Sequence, residues 1–88
     1  MEVVYLNSFL KDLKKVKDKK LLQKVKAVLL ELKSAENLSA IPNSKNLSGH
    51  PFAYRIRIGD YRLGLFHSEE KLTLARFVKR NDIYKLFP

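Results

Sequence analysis

Residues 52–66, FAYRIRIGDYRLGLF, carry the strongest secondary-structure signal in the chain. Apolar and polar side chains alternate on both sides of Gly59-Asp60, which is typical of two antiparallel strands joined by a tight turn. Gly in the first central position favours a two-residue type II′ turn. A two-residue turn predicts a complete register: Ile58 with Tyr61, Arg57 with Arg62, Ile56 with Leu63, Arg55 with Gly64 and Tyr54 with Leu65.

The predicted register sorts the hairpin side chains onto two faces, because successive residues of a strand point in opposite directions. The apolar face carries Phe52, Tyr54, Ile56, Ile58, Tyr61, Leu63 and Leu65. The other face carries Ala53, Arg55, Arg57, Arg62, Gly64 and Phe66. Arg57 opposite Arg62 is a like-charge pair, which destabilises a sheet. Three arginines gathered at such a cost predict a site for an anion.

Length and composition indicate one small domain, residues 1–88, with a modest hydrophobic core. There is no cysteine, which excludes a disulfide framework and a cysteine metal site. No apolar run approaches the roughly 20 residues of a membrane span, and the first residues lack a signal-peptide pattern. We therefore expect a cytoplasmic protein without a membrane partner. The net charge of +9 favours a nucleic acid or an acidic protein as partner.

The residues before the hairpin predict one strand and two helices. Glu2–Leu6 is the predicted first strand, Ser8 the predicted cap of a helix ending near Lys17, and Asp18 the cap of a second helix. The second helix has one wide apolar stripe formed by Leu21, Leu22, Val25, Val28, Leu29 and Leu32. The two helices are expected to pair and to cover one face of the sheet.

Two further segments complete the predicted architecture. Residues 34–51 are rich in turn-forming residues and are expected to be irregular, anchored in the core by Leu38, Ile41 and Leu47. Lys71–Val78 is a predicted strand with apolar residues on both faces, which indicates a central place in the sheet. Simple alternation puts Leu72, Leu74 and Val78 on one face and Thr73, Ala75 and Phe77 on the other. The same alternation leaves Arg76 on an apolar face without an explanation.

Lysines and the basic tail extend the cationic surface. The helix lysines, Lys11, Lys14, Lys15, Lys17, Lys19, Lys20, Lys24 and Lys26, are compatible with a solvated face and with a phosphate-contacting one. We take Lys14, Lys15 and Lys79 as candidate phosphate ligands. Arg80 and Tyr84 in the tail add a guanidinium, which can hold phosphate, and a ring, which can stack on an unpaired base.

Four short motifs, KNLSG (45–49), YRIR (54–57), GDYRL (59–63) and KRNDIY (79–84), occur in the order seen in the RelE/ParE superfamily of bacterial toxins. The whole chain resembles that superfamily. The resemblance implies an α+β fold, with an N-terminal strand and an αα-hairpin packed on one face of a small, mostly antiparallel sheet. It also implies neutralisation by a cognate antitoxin protein and no metal or cofactor. The RelE branch implies a ribosome-dependent endoribonuclease that cuts mRNA, and the ParE branch an inhibitor of DNA gyrase.

The resemblance also implies roles for individual residues. Arg55 and Arg57 match the paired basic positions of the second strand in RelE-type toxins, and Arg62 matches the arginine after the turn. Arg62 is then expected to stabilise charge on the phosphate, and Arg80 to assist the leaving oxygen. Tyr84 matches the tyrosine that stacks on the substrate base. We treat Arg55, Arg57, Arg62, Arg80 and Tyr84 as candidate catalytic residues.

The implied reaction needs a base that removes the proton from the attacking ribose 2′-OH. RelE-type toxins have lysines at the paired positions, whereas this chain has arginines, which are poor bases because they stay protonated. Other members of the family use a Glu/His pair. Here Glu36 lies far upstream, His50 is a weak candidate, and His67 is more consistent with a structural role. Three readings stay open: an mRNA-cleaving toxin, a gyrase inhibitor without nuclease activity, and a non-catalytic RNA-binding module.

Overall fold

One five-stranded sheet organises the computed structural model, which describes all residues from 1 to 88. The elements are β1 (Glu2–Tyr5), α1 (Asn7–Lys14), α2 (Lys19–Ser34), a 3₁₀ turn (Leu38–Ala40), β2 (Ser44–Leu47), β3 (His50–Ile58), β4 (Tyr61–Ser68), β5 (Lys71–Lys79) and α3 (Arg80–Leu86). The strand order is β1-β5-β4-β3-β2, with β1 parallel to β5 and the other pairs antiparallel. The predicted α+β class and mostly antiparallel sheet are confirmed. No helix is both long enough and apolar enough to cross a bilayer.

The β3–β4 hairpin has the predicted register at every predicted pair, including Arg57 opposite Arg62. Gly59 has a φ of +60°, the left-handed conformation that the first central position of a type II′ turn requires. The predicted position of the turn is therefore confirmed, and so is the predicted distribution of the hairpin side chains over the two faces.

The main core fills the space between the two N-terminal helices and the apolar face of the sheet. α2 contributes Leu21, Val25 and Leu32 to it, and the hairpin contributes Ile56 and Leu63. Burial of each such side chain stabilises the fold by about 1.5–3 kcal/mol.

The predicted cap of α2 is confirmed, and that of α1 is wrong. The Asp18 carboxylate accepts hydrogen bonds from the amides of Lys20 and Leu21 at 2.9 and 3.2 Å. α1 begins at Asn7, and the Ser8 hydroxyl instead donates to the carbonyl of Ala75 at 2.6 Å. α1 also ends earlier than predicted, at Lys14, because the chain tightens into a turn of i to i−3 hydrogen bonds after it.

The segment predicted to be irregular contains a strand. Residues 44–47 form β2, which pairs antiparallel with β3 at the edge of the sheet. The sequence SKNL lacks the β-branched and aromatic residues that mark strands, so its conformation depends on hydrogen bonds to β3 rather than on local preference. The expected anchors Leu38 and Ile41 are buried, and Leu47 is half-buried.

A β-bulge in β5 corrects the predicted faces of that strand. Gly64 pairs with Arg76 and Leu65 pairs with Leu74, so Ala75 is the extra residue. The inserted residue shifts every later side chain of β5 to the face opposite to the predicted one. Phe77 therefore joins Leu72 and Leu74 in the main core, and Val78 packs on the opposite face, contrary to the sequence prediction.

Arg76, unexplained by the sequence, forms the only salt bridge of the structure, with the buried Asp12 of α1. The Asp12 carboxylate accepts from Arg76 Nε at 2.7 Å, from Arg76 Nη2 at 3.1 Å and from the Phe77 amide at 2.9 Å. The paired part of β1 ends at Tyr5, so the rest of the β5 edge has no neighbouring strand. Asp12 and Ser8 of α1 satisfy backbone groups along that open edge.

The C-terminal tail forms helix α3, which packs on the sheet face opposite the main core. Ile83 and Phe87 pack on Ala53 and Ala75 in a small second core. This face is thus apolar and covered at one end. Its other end, near the Gly59-Asp60 turn, carries the arginines.

Candidate active site

Four arginines, Arg55, Arg57, Arg62 and Arg80, lie at the turn end of the hairpin and form what we call the arginine cluster. The register puts Arg57 directly opposite Arg62, and Arg55 follows two residues away on the same face. Arg80 begins α3 just after β5, and its amide donates to the carbonyl of Asp60 at 2.9 Å. Two strands, β3 and β4, and helix α3 therefore bring the four side chains to one end of the sheet.

Neutral oxygen atoms hold two of these guanidinium groups in place. Arg62 Nη1 donates to the carbonyls of Gly59 and Tyr61 at 3.1 and 2.9 Å. Arg57 Nη2 donates to Asn43 Oδ1 at 3.3 Å, and its amide donates to the Asn43 carbonyl at 3.2 Å. No carboxylate forms a salt bridge with any arginine of the cluster. The positive charge of the cluster is therefore not neutralised within the protein.

The electrostatics of Arg62 reflect this excess of positive charge. Burial lowers the pKa of Arg62 below its usual value, and the charges of Arg55, Arg57 and Arg80 lower the pKa further, while Asp60 acts in the opposite direction. An environment that disfavours a cation is relieved by an anion brought close to it. The arginine cluster thus has the electrostatic character of a phosphate site.

A hollow of about 650 Å³ opens beside the cluster, which we call the arginine hollow. Its polar and charged lining comes from Lys24, Asn43, Arg57, Asp60, Arg62 and Arg80. A second hollow of about 380 Å³ adjoins it and shares Asn43, Arg57 and Arg62. Asn43 received no role from the sequence. Its only sequence signal was its place in the turn-forming stretch Pro-Asn-Ser, and in the structure Asn43 has a φ of +65°.

Tyr84 stands beside the cluster on α3. The Arg55 guanidinium lies over its ring at 5.0 Å from the centroid, a cation–π contact. The Tyr84 side chain is nevertheless 69% exposed, so most of the ring is open to solvent. The structure therefore brings all five candidate catalytic residues together.

The three candidate lysine ligands lie elsewhere. Lys79 pairs with Tyr61 and so faces the side of the sheet opposite to Arg62. It lines a separate hollow of about 340 Å³ together with Lys15. Lys14, the last residue of α1, lies on a different part of the surface, near Leu10 and Lys11. A role in phosphate binding for these lysines stays a prediction and would concern a surface outside the arginine cluster.

Both histidines lie at the end of the sheet away from the cluster. His50 begins β3, seven residues before Arg57, which corresponds to about 23 Å along an extended strand. His67 Nε2 lies 2.8 Å from the carbonyl oxygen of Glu69, and its ring meets the edge of Tyr54. Glu36 is also at that end, beside Glu69. None of these candidate bases lies beside the arginine cluster.

Fold and site together define a small, basic α+β domain whose cationic site lies at one end of its sheet. No family model matches the sequence. Toxin RelE3 of Methanocaldococcus jannaschii is 30% identical over 89 residues, covering 100% of both chains. The chain therefore belongs to the RelE family of toxins.

Solved structures share this fold. A chain of the RelB–RelE antitoxin–toxin complex from Methanococcus jannaschii matches with a TM-score of 0.82 and 28% identity, over 97% of this chain and 99% of that one. The YoeB dimer from Staphylococcus aureus matches with a TM-score of 0.70 and 22% identity, over 90% and 94% of the two chains. YafQ from E. coli matches with a TM-score of 0.65 and 19% identity, over 94% and 97%.

Proposed function

We propose that this RelE-family toxin is a ribosome-dependent, metal-independent endoribonuclease that cleaves mRNA. The observation that carries the proposal is the convergence of four arginines, none neutralised by a carboxylate salt bridge, beside an exposed tyrosine. Such a site suits a phosphate flanked by an unpaired base. The family's implied chemistry supplies the reaction class.

In this proposal the ribose 2′ oxygen attacks the adjacent phosphorus, and the bond from phosphorus to the 5′ oxygen breaks. The products are a 2′,3′-cyclic phosphate and a 5′ hydroxyl. Arg62 stabilises the negative charge that builds up on the phosphate, and Arg55 and Arg57 hold its non-bridging oxygens. Arg80 stabilises the leaving 5′ oxygen. Tyr84 stacks on the base and so fixes the attacking geometry.

We further propose that a cognate antitoxin protein neutralises the toxin. The relative in the RelB–RelE complex assembles with an antitoxin. The +9 charge of this chain suits an acidic or amphipathic segment that covers the basic face. Lys14, Lys15 and Lys79 are proposed to contact polyanion at some distance from the scissile phosphate.

Expression of the toxin without antitoxin, followed by primer extension on cellular mRNA, tests the proposed function. New 5′ ends within codons of translated messages are the expected result. Arg62→Ala should reduce cutting about 100- to 1,000-fold, the usual effect of losing one group that stabilises transition-state charge. Tyr84→Ala should abolish detectable cutting, whereas Lys33→Ala, at the far end of α2, serves as the control of unchanged activity.

Other outcomes distinguish the alternatives. Intact mRNA together with a DNA-damage response would indicate a ParE-like gyrase inhibitor. RNA binding without cleavage or DNA damage would indicate a binding module. Unchanged cutting by both Arg62→Ala and Tyr84→Ala would contradict the assignment of the site.

A further inference from the structure

The proposed reaction needs a proton acceptor, and the arginine cluster contains none. Guanidinium and ammonium groups donate hydrogen bonds and cannot accept a proton at neutral pH. We infer that Asp60, the second residue of the β3–β4 turn, is the general base that takes the proton from the attacking 2′-OH. This inference rests on the proposed nuclease function and adds to it the residue that starts the reaction.

Asp60 is the only carboxylate or imidazole among the residues that line the two hollows of the cluster. Its charged neighbours there come from five elements: Lys24 of α2, Lys45 of β2, Arg55 and Arg57 of β3, Arg62 of β4 and Arg80 of α3. The other acids near the sheet are engaged or distant. Asp12 is held by Arg76 and the Phe77 amide, and Asp82 lines the separate hollow of Lys15 and Lys79.

The backbone around Asp60 is fixed to the catalytic arginines, and its carboxylate is free. The Asp60 carbonyl accepts from the Arg80 amide at 2.9 Å, and the preceding Gly59 carbonyl accepts from Arg62 Nη1 at 3.1 Å. The side chains of Arg57 and Arg62 donate to oxygens of Asn43, Gly59 and Tyr61, and the Asp60 carboxylate has no hydrogen bond or salt bridge. Its charge nevertheless acts on Arg62, whose pKa it raises against the effect of the arginines. The carboxylate is therefore close to the cluster and available to a substrate.

Asp60 can carry out this proton transfer without a further reactant. The carboxylate accepts the 2′-OH proton while the 2′ oxygen forms its bond to phosphorus. The electron pair of the bond from phosphorus to the 5′ oxygen leaves with that oxygen, which takes a proton from solvent. Asp60 then returns its own proton to solvent, and no other reactant is consumed.

The test is single-turnover cleavage of mRNA on programmed ribosomes by purified wild type, Asp60→Asn, Asp60→Glu and the control Glu70→Gln. Asp60→Asn should lower the cleavage rate constant about 100-fold or more, as loss of a general base does. The toxin concentration giving half the maximal rate should stay equal or fall, because a negative charge has left a phosphate site. Asp60→Glu keeps the carboxylate and should recover part of the rate. Glu70→Gln makes the same charge change at the opposite end of the sheet and should cleave like wild type.

The direction of the rate change separates catalysis from electrostatics. A bystander carboxylate repels the substrate phosphate, so its removal would leave cleavage unchanged or make it faster. Either result from a folded Asp60→Asn, with a thermal midpoint close to that of wild type, would overturn the role of Asp60 and leave the nuclease function standing. Absence of cleavage by wild type would overturn the nuclease function and this inference together.

Discussion

Arg57 and Arg62 face each other across a strand pair, where like charges are destabilising by a few tenths to about 1 kcal/mol. The surrounding residues make the arrangement tolerable without cancelling its charge. Carbonyls of Gly59 and Tyr61 hold Arg62, and the amide side chain of Asn43 holds Arg57. The cluster is thus preorganised by neutral acceptors, which leaves its full charge available to a ligand.

Asn43→Gly tests this preorganisation. Glycine adopts the positive φ of Asn43 without strain, so the fold should be retained, but Arg57 loses its Oδ1 partner. We expect cleavage to fall about fivefold, the equivalent of one net hydrogen bond of about 1 kcal/mol. Cleavage kinetics and a thermal melt of the same preparation are the measurements. A wild-type rate from Asn43→Gly would show that Arg57 needs no support from this loop.

Helix α3 links the second core to the arginine cluster, because it carries Ile83 inward and Tyr84 outward. The packing of α3 on the sheet depends on a glycine. A Cβ at Gly64 would lie only 2.7 Å from the ring of Phe87, which is closer than a carbon–carbon contact allows. The ring of Phe87 can pack directly against β4 here because Gly64 has no side chain. The position of Tyr84 beside Arg55 therefore depends on the packing of a residue on a different strand.

Gly64→Ala tests the close packing of Phe87 on β4. The added methyl group should displace Phe87 and destabilise the fold by about 1–3 kcal/mol, the usual cost of overpacking. Denaturant unfolding measures the loss, and cleavage should fall with it as α3 shifts. The double variant Gly64→Ala/Phe87→Leu removes the ring and should recover part of the stability. Equal stability of Gly64→Ala and wild type would contradict the close packing of α3.

The charge of the whole molecule is unevenly distributed. The arginine cluster lies at the turn between β3 and β4, whereas Glu2, Glu36, Glu69 and Glu70 line a hollow at the opposite end. A polyanion is attracted to one end of the protein and repelled from the other, which favours one orientation of approach.

Inorganic phosphate should stabilise the molecule as a whole. The fold lowers the pKa of Arg62, so it disfavours the cationic form, and this destabilisation persists at every pH below the folded-state pKa. Near neutral pH it is fully present, and a bound anion relieves it. For a dissociation constant of about 10 mM, about 50 mM phosphate adds about 1 kcal/mol, or about 4–8 °C in thermal midpoint.

The comparison needs two controls. Chloride at the same ionic strength should raise the midpoint less than phosphate does, because it screens charge without filling the site. Arg62→Gln should lose most of the phosphate effect. Identical shifts for phosphate and chloride, or for wild type and Arg62→Gln, would show that the cluster does not bind phosphate in the isolated protein.

Local patterns in the sequence suffice for the hairpin, its register and the Asp18 cap, because each depends on neighbours a few residues away. They place Arg55, Arg57 and Arg62 on one face. Side-chain chemistry made Arg80 and Tyr84 candidates for the site, and family resemblance gave them roles. The structure brings them to the hairpin. The α+β class follows from the same patterns together with that resemblance.

Long-range contacts settle the rest. β2 forms because it pairs with β3, and the bulge at Ala75 directs the Phe77 side chain toward the core. Arg76 binds Asp12, which lies 64 positions earlier in the chain. The same holds for Asn43, Lys24 and Asp60, which come from separate elements and meet only around the arginine cluster. Alternation and capping are properties of a local segment, whereas a bulge, an edge strand and a shared hollow are properties of how segments pack.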